Sequence, residues 1–244
     1  MRASLCATCL VDQFYPEVGE ATVQVLEAQG VEVDVPAGQT CCGQVAFNGG
    51  FRAEAAEVAR HFLDVFGDAE RIVVPSGSCA AMIKVYYQEL FADDSDTLDR
   101  AKAVGEKTYE LTDYLVNMLG VTETGSSAEG LVTYHDSCHT LRELHLKSEP
   151  RTLIEGVQGA ELQEMEASDT CCGFGGLFSV KFPAISEAIM EQKLAHIAES
   201  GAGTVVATDC GCLMHLRGAM ARRGLKVKAL HIAQLLAGSG AEGA

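Results

Sequence analysis

The chain has 244 residues, enough for one large domain or two small ones. Hydrophobic residues make up 48% of it, an ordinary share for a globular core, but 34 acidic residues against 18 basic ones leave a formal net charge of −16. An acidic chain with no Lys/Arg cluster is a poor binder of nucleic acid or anionic membrane, and its charge reads as a solubilising surface.

The first residues, "MRASLCATCLVDQFYPEV", include one early arginine but neither a long apolar core nor a small-residue cleavage site. They do not read as a signal peptide, and no apolar run approaches the length of a membrane span. The expectation is a soluble, cytoplasmic protein. Ten cysteines in a reducing compartment point to metal binding or redox chemistry rather than a disulfide framework.

In chain order, "EVGEATVQVLEAQG" carries Val18, Ala21, Val25 and Leu26 at helical spacing and stops at Gly30; "VEVDVP" then alternates as a strand. After "TCCGQVAFNGGF" (residues 40–51) comes a helix over "FRAEAAEVARHFLDVFG", with Phe51, Ala55, Val58, Phe62 and Val65 as its apolar face. "RIVV" predicts a short buried strand running into Cys79, and "AAMIKVYYQELF" a helix from there. The polar "FADDSDTLDR" reads as an exposed turn before a helix through "AVGEKTYELTDYLVNMLG", in which Tyr109, Leu115 and Met118 are core candidates. "GVTETGSSAEG" (residues 120–130) has the composition of a linker. Beyond it, "LVTYHDSC" is a strand into a cysteine and "ELQEME" a strand before Cys171. "FPAISEAIMEQKLAHIAESG" is a helix, and "TVVATDCGC" is again a strand into a cysteine, followed by a helix. The tail "GSGAEGA" reads as disordered. Strands alternating with helices predict an α/β fold with mostly parallel sheets.

The chain also repeats. Cys9 aligns with Cys138 at an offset of 129, Cys41-Cys42-Gly43 with Cys171-Cys172-Gly173 at 130, and Cys79 with Cys212 at 133. This predicts two pseudo-symmetric lobes, one over about residues 1–120 and the other over about 130–244, with each key cysteine just past the C-terminal end of a strand. That edge is where open α/β sheets bind ligands. Cys79 and Cys212 fall near helix N-termini, whose dipole favours thiolate over thiol.

Four converging thiolates suit a soft metal, zinc or an iron–sulfur cluster. Structural zinc sites usually show cysteine pairs close in sequence. Here 31 and 36 residues separate Cys9, Cys41-Cys42 and Cys79, and 32 and 39 separate Cys138, Cys171-Cys172 and Cys212. Adjacent cysteines project in different directions, which suits an extended cluster better than one zinc tetrahedron. Gly43 and Gly173 are expected to bring the backbone close to inorganic sulfide without a Cβ clash, and Gly49-Gly50 and Gly175-Gly176 suggest a similar approach.

These blocks carry a resemblance. "CLVDQFYPEVGEATVQVLE", "GQTCCGQVAFN", "VVPSGSCAAM", "VTYHDSCHTLREL", "CCGFGGLFSVKFP" and "DCGCLMHLRG" occur in an order that resembles the cysteine-rich Cys-Cys-Gly domain family. That family includes the heterodisulfide reductase catalytic subunit and the iron–sulfur subunits of glycolate and glycerol-3-phosphate dehydrogenases. The match is closer to its short branch, the lactate-utilisation protein A family. The resemblance implies an iron–sulfur subunit that acts with a ferredoxin-like iron–sulfur subunit and a third small subunit to oxidise L-lactate to pyruvate. It implies one or two 4Fe–4S clusters, held by Cys9, Cys41, Cys42 and Cys79 and by Cys138, Cys171, Cys172 and Cys212.

The pattern departs from the heterodisulfide relative, which ends each motif with Cys-x2-Cys: the first of those cysteines is Ser76 here in one half and Asp209 in the other. This puts the fused non-cubane cluster and disulfide cleavage in doubt. Asp209 reads as an oxygen ligand or as a cap. Cys210 is the candidate fifth ligand of the second half; Cys6, whose counterpart is His135, reads as a small core residue. His135, Asp136 and His139 around Cys138, and His215 after Cys212, read as hydrogen-bonding groups that orient the cysteine loops. The alternative is proton transfer or contact with a substrate carboxylate. Lys181 would offset cluster charge, bind an anion or simply be exposed. No Gly-x-Gly-x-x-Gly opens a βαβ unit and no Walker loop is present, so the chain has no motif for its own nicotinamide, flavin or nucleotide. A thiol–disulfide reductase and a zinc-stabilised scaffold are the rival readings.

Overall fold

Short runs of β-branched and apolar residues form the strands of the protein, seen here in a computed structural model that describes residues 1–238. The tail expected to be disordered lies, from residue 239 on, outside the described residues. The first half contains β1 (Arg2–Leu5), α1 (Cys9–Phe14), α2 (Pro16–Ala28), β2 (Glu32–Asp34), α3 (Gln44–Gly49), α4 (Arg52–Phe66) and β3 (Ile72–Val74). A π-helical turn at Met82–Tyr86 joins α5 (Gly77–Ala81) to α6 (Tyr87–Leu90). Then come α7 (Ser95–Glu106), β4 (Thr108–Glu110) and α8 (Leu111–Asp113). The second half contains β5 (Ser127–Tyr134), α9 (Cys138–Arg142), α10 (Ser148–Glu155), β6 (Gln158–Leu162), α11 (Leu177–Lys181), α12 (Pro183–Glu199), β7 (Thr204–Ala207), α13 (Cys210–Arg223), β8 (Lys228–His231) and α14 (Ile232–Leu236).

The strands form two four-stranded sheets with the same order, β2-β1-β3-β4 and β6-β5-β7-β8. Every pairing is parallel; Arg2 lies opposite Glu32, Ser4 opposite Ile72, and Val132 opposite Thr204. The expected α/β fold of two similar lobes is the fold observed. The lobes share one apolar cluster, in which Val25, Leu26 and Tyr114 of the first half meet Ile154, Ile232 and Leu235 of the second. Helix α14 packs on α2, α9 on α5, and α13 on α1. At the α5–α9 crossing a Cβ added to Gly77 would sit 1.7 Å from Thr140 Oγ1, so only glycine allows that approach.

Some local readings shift. Thr108–Glu110, expected inside a helix, forms strand β4 beside β3, burying Thr108 and Glu110. Helix α4 turns inward through Ala55, Ala59, Phe62, Leu63 and Phe66, whereas Phe51 is exposed and Val58 and Val65 are only half-buried. Strand β6 ends at Leu162, earlier than "ELQEME" suggested, and β5 begins at Ser127, where it pairs with Gln158 ahead of a register shift.

Candidate metal centre

Because each sheet is parallel, its strand ends share one side, and the loops leaving those ends carry the cysteines. Cys9 opens α1 after β1 and Cys138 opens α9 after β5; Cys79 lies in α5 after β3 and Cys212 in α13 after β7. The cysteine pairs follow β2 and β6. The two lobes face each other across these loops. Between them lies a cavity of about 200 Å³ whose wall includes Cys9, Cys41, Cys42 and Cys79 from one half, and Cys138, Cys171, Cys172 and Cys212 from the other. Cys210 joins the same wall, and all ten cysteines are free thiols.

Within each half the sulfurs are close. Cys9 Sγ lies 3.8 Å from Cys41 Sγ, and Cys172 Sγ lies 3.1 Å from Cys212 Sγ. The glycine after each pair donates its amide to the first sulfur: Gly43 N to Cys41 Sγ at 3.4 Å and Gly173 N to Cys171 Sγ at 3.3 Å. Both glycines have left-handed backbones, φ 85° and 90°. The protein itself supplies one reason for them. A Cβ on Gly173 would meet the Ser186 carbonyl of α12 at 2.5 Å, and one on Gly43 the Ala55 carbonyl of α4 at 3.3 Å. The glycines let the cysteine loops approach the backbone of α4 and α12 closely. Gly173→Ala is therefore expected to lower the melting temperature more than Gly43→Ala. Both carry the left-handed penalty of roughly 1–2 kcal/mol, but only the first must also displace helix backbone. Thermal unfolding of the two variants side by side checks this ordering.

Crowded thiols hold their protons. Contact with Cys41, then burial, pushes Cys9 up; contact with Cys172, then burial, does the same to Cys171. Burial, with the charges of Asp209 and Cys171, raises Cys138 to about 11. Cys41 goes the other way, held down by hydrogen bonds from Cys42 and Cys9. Cys212 does not show the dipole-lowered thiol expected at its helix start. The Cys172 contact lowers it, but burial and Asp209 outweigh that and leave it raised. Thiolates are the metal-binding form, so loading this cavity releases protons.

The two departures from the family pattern meet each other. Asp209 Oδ1 accepts hydrogen bonds from Ser76 Oγ at 2.8 Å, Ser78 Oγ at 2.6 Å and Ser78 N at 3.1 Å. The positions of the absent cysteines thus form a polar bridge between the lobes, and Ser76 also caps α5 by accepting from Cys79 N.

The remaining candidates separate. His139 Nδ1 lies 3.5 Å from Cys138 Sγ and its Nε2 3.4 Å from Gln44 Nε2, in keeping with a group that orients the loop. Asp136 is buried and gripped by both Arg151 terminal nitrogens, at 2.8 and 2.9 Å, and by Ser168 Oγ at 2.8 Å. His215 contacts Ser186 Oγ at 3.4 Å. Cys210 is packed into the shared apolar cluster with Val11. Cys6 is buried, raised by burial and by nearby Cys79.

His135 behaves differently. It is 1% exposed, and neither ring nitrogen completes a hydrogen bond. A ring nitrogen, Cys172 Sγ and Cys212 Sγ all lie within 4.8 Å of one another. Burial and the positive charge of Lys193 bring its pKa down to about 4, although the Ser168 carbonyl favours the protonated ring.

Lys181 is exposed; the buried cation is Lys193 on α12. Its ammonium donates to the Ala167 carbonyl at 2.6 Å and the Ser168 carbonyl at 3.1 Å, where its charge acts on Cys172 and Cys212. Its signal was legible: Lys193 stands on the apolar stripe Met190, Leu194, Ile197. A wall of thiols with a buried neutral imidazole and a buried cation fits a soft metal or an iron–sulfur cluster.

A family model described as CCG, cysteine-rich domain, matches residues 4–84 and again residues 132–217, once in each half. The chain is 48% identical over 236 residues to the lactate utilization protein A of Shouchella clausii, covering 97% of this chain and 98% of that protein. With the lactate utilization protein A of Bacillus subtilis the identity is 45%, covering 97% and 99%. A solved structure titled as a putative Asp/Glu racemase from Yersinia pestis aligns over 98% of this chain and 96% of its own, with 9% identity and a TM-score of 0.38, too distant to carry an argument.

Proposed function

The chain belongs to the cysteine-rich CCG domain family and, within it, to the lactate utilization A proteins, and on that premise we propose that it is the iron–sulfur electron-transfer subunit of a complex oxidising L-lactate to pyruvate. The observation that carries this is a cavity lined by cysteines from both lobes. In this reading Cys9, Cys41, Cys42 and Cys79 hold one 4Fe–4S cluster, and Cys138, Cys171, Cys172 and Cys212 hold another. Such clusters supply one-electron transfer, and two of them match the two electrons released, with two protons, as lactate becomes pyruvate.

The chain's own residues would hold and tune the centres. The Gly43 and Gly173 amides donate to sulfur and Lys193 offsets negative charge, while Asp136 with Arg151 fixes the loop before Cys138. No described helix is long and apolar enough to cross a membrane. The proposed setting is the cytoplasm, with a ferredoxin-like iron–sulfur subunit and a third small subunit as partners. A thiol–disulfide reductase is disfavoured because Ser76 and Asp209 stand where the extra cysteines would be and are bonded to each other.

Deleting the gene in its host tests this. Growth on L-lactate as sole carbon source should be lost and growth on glucose kept, with rescue by the wild-type gene but not by Cys172→Ser. Unimpaired growth on lactate would contradict the reading.

A further inference from the structure

In each half one more donor stands beside the cysteine set, on the loop just after the first strand of the sheet. In the first half it is Cys6, after β1; in the second it is His135, after β5. Both are almost completely buried. The His135 amide donates to the Val206 carbonyl at 2.9 Å, and the Asp136 amide to the Ser168 carbonyl at 3.1 Å. The clamp of Arg151 on Asp136 holds the loop further. The ring is therefore fixed in place, yet neither nitrogen completes a hydrogen bond, although the Ser168 carbonyl lies near it. Burying such groups unsatisfied is costly, so a ring held rigidly in that state calls for a partner. Within 4.8 Å are the sulfurs of Cys172 and Cys212. Asp209 turns Oδ1 to the other lobe, where it accepts three hydrogen bonds from Ser76 and Ser78.

We infer that His135 ligates, through one ring nitrogen, the metal centre held by Cys172 and Cys212, so that the second half carries a mixed thiolate–imidazole site. This rests on the reading of the cavity as an iron–sulfur site. The two halves then differ in kind. His135 then takes an iron corner that one of the four cysteines of this half would otherwise hold, and a neutral imidazole in place of that thiolate removes negative charge from the centre and raises its reduction potential. The second half is in that case the better electron acceptor of a matched pair, and the asymmetry is set by one residue.

Pulsed EPR on anaerobically purified, dithionite-reduced protein labelled with 15N-histidine tests the assignment. The expected result is a directly coupled histidine nitrogen that disappears in His135→Gln and persists in His139→Gln. His135→Cys, which puts a sulfur donor at this position, should keep its iron and show a lower midpoint potential. Iron and acid-labile sulfide without a coupled nitrogen would overturn the assignment, as would a coupling that survives His135→Gln or vanishes in His139→Gln. All three leave the iron–sulfur reading standing. Protein that binds neither iron nor sulfide overturns both.

Discussion

Replacing Arg151 with methionine is expected to cost about 3–5 kcal/mol of stability, the usual result of leaving a buried charge without its partner. The Asp136 side chain is only 1% exposed and Arg151 15%, and the guanidinium also reaches Glu164 at 2.5 Å. Burial alone would raise the Asp136 carboxyl, but Arg151 and Ser168 more than offset it and hold it below its usual range. The contribution of this carboxylate is therefore present above an unfolded pKa of about 3.9 and is lost as pH falls through the lower folded value. Against a typical total of about 5–15 kcal/mol, the loss is large, and a melting temperature lower by about 10 °C is expected. The double variant Arg151→Met/Asp136→Asn should recover part of it, because the charge is then gone as well. A double variant no more stable than the single one would show that the pair contributes packing rather than charge compensation. Asp136 lies two residues before Cys138, so Arg151→Met should also lose metal from the second half on mild heating.

The second large effect concerns metal content. Cys79→Ser and Cys212→Ser each remove one sulfur from one half, and the iron and sulfide of that half should be lost while the other half keeps its own. Iron is then expected to fall from about eight atoms to about four per chain in either variant. The spectrum left by Cys212→Ser should differ from that left by Cys79→Ser, because the halves present different donors. Complete loss of iron in either variant would mean that the sulfurs of both lobes serve one shared centre.

Much of the fold was legible because its signals are local and doubled. Strands running into cysteines at Cys79, Cys138 and Cys212 announced the parallel sheets, and the repeat announced two similar halves. Strand β4 was not legible: Thr108–Glu110 sits between two helical stretches and is extended only because β3 offers it an edge. Nor was the bond between Ser76 and Asp209, 133 residues apart, which exists only once the lobes face each other. The eight cysteines, proposed as ligands from the repeat and the resemblance it carries, line one cavity. His135 read as a hydrogen-bonding group, and the packing completes no hydrogen bond at either ring nitrogen. A histidine beside a cysteine usually finds a hydrogen bond, and only the packed structure reveals that this one has none. Lys193, by contrast, was passed over although its place on the apolar stripe was visible.

The most direct test of the account is the iron, zinc and acid-labile sulfide content of the wild-type chain, purified without oxygen. About eight iron atoms with matching sulfide per chain is the predicted result, one 4Fe–4S cluster to each set of four cysteines. Zinc without sulfide would contradict it and leave a zinc-stabilised scaffold in place of an electron carrier.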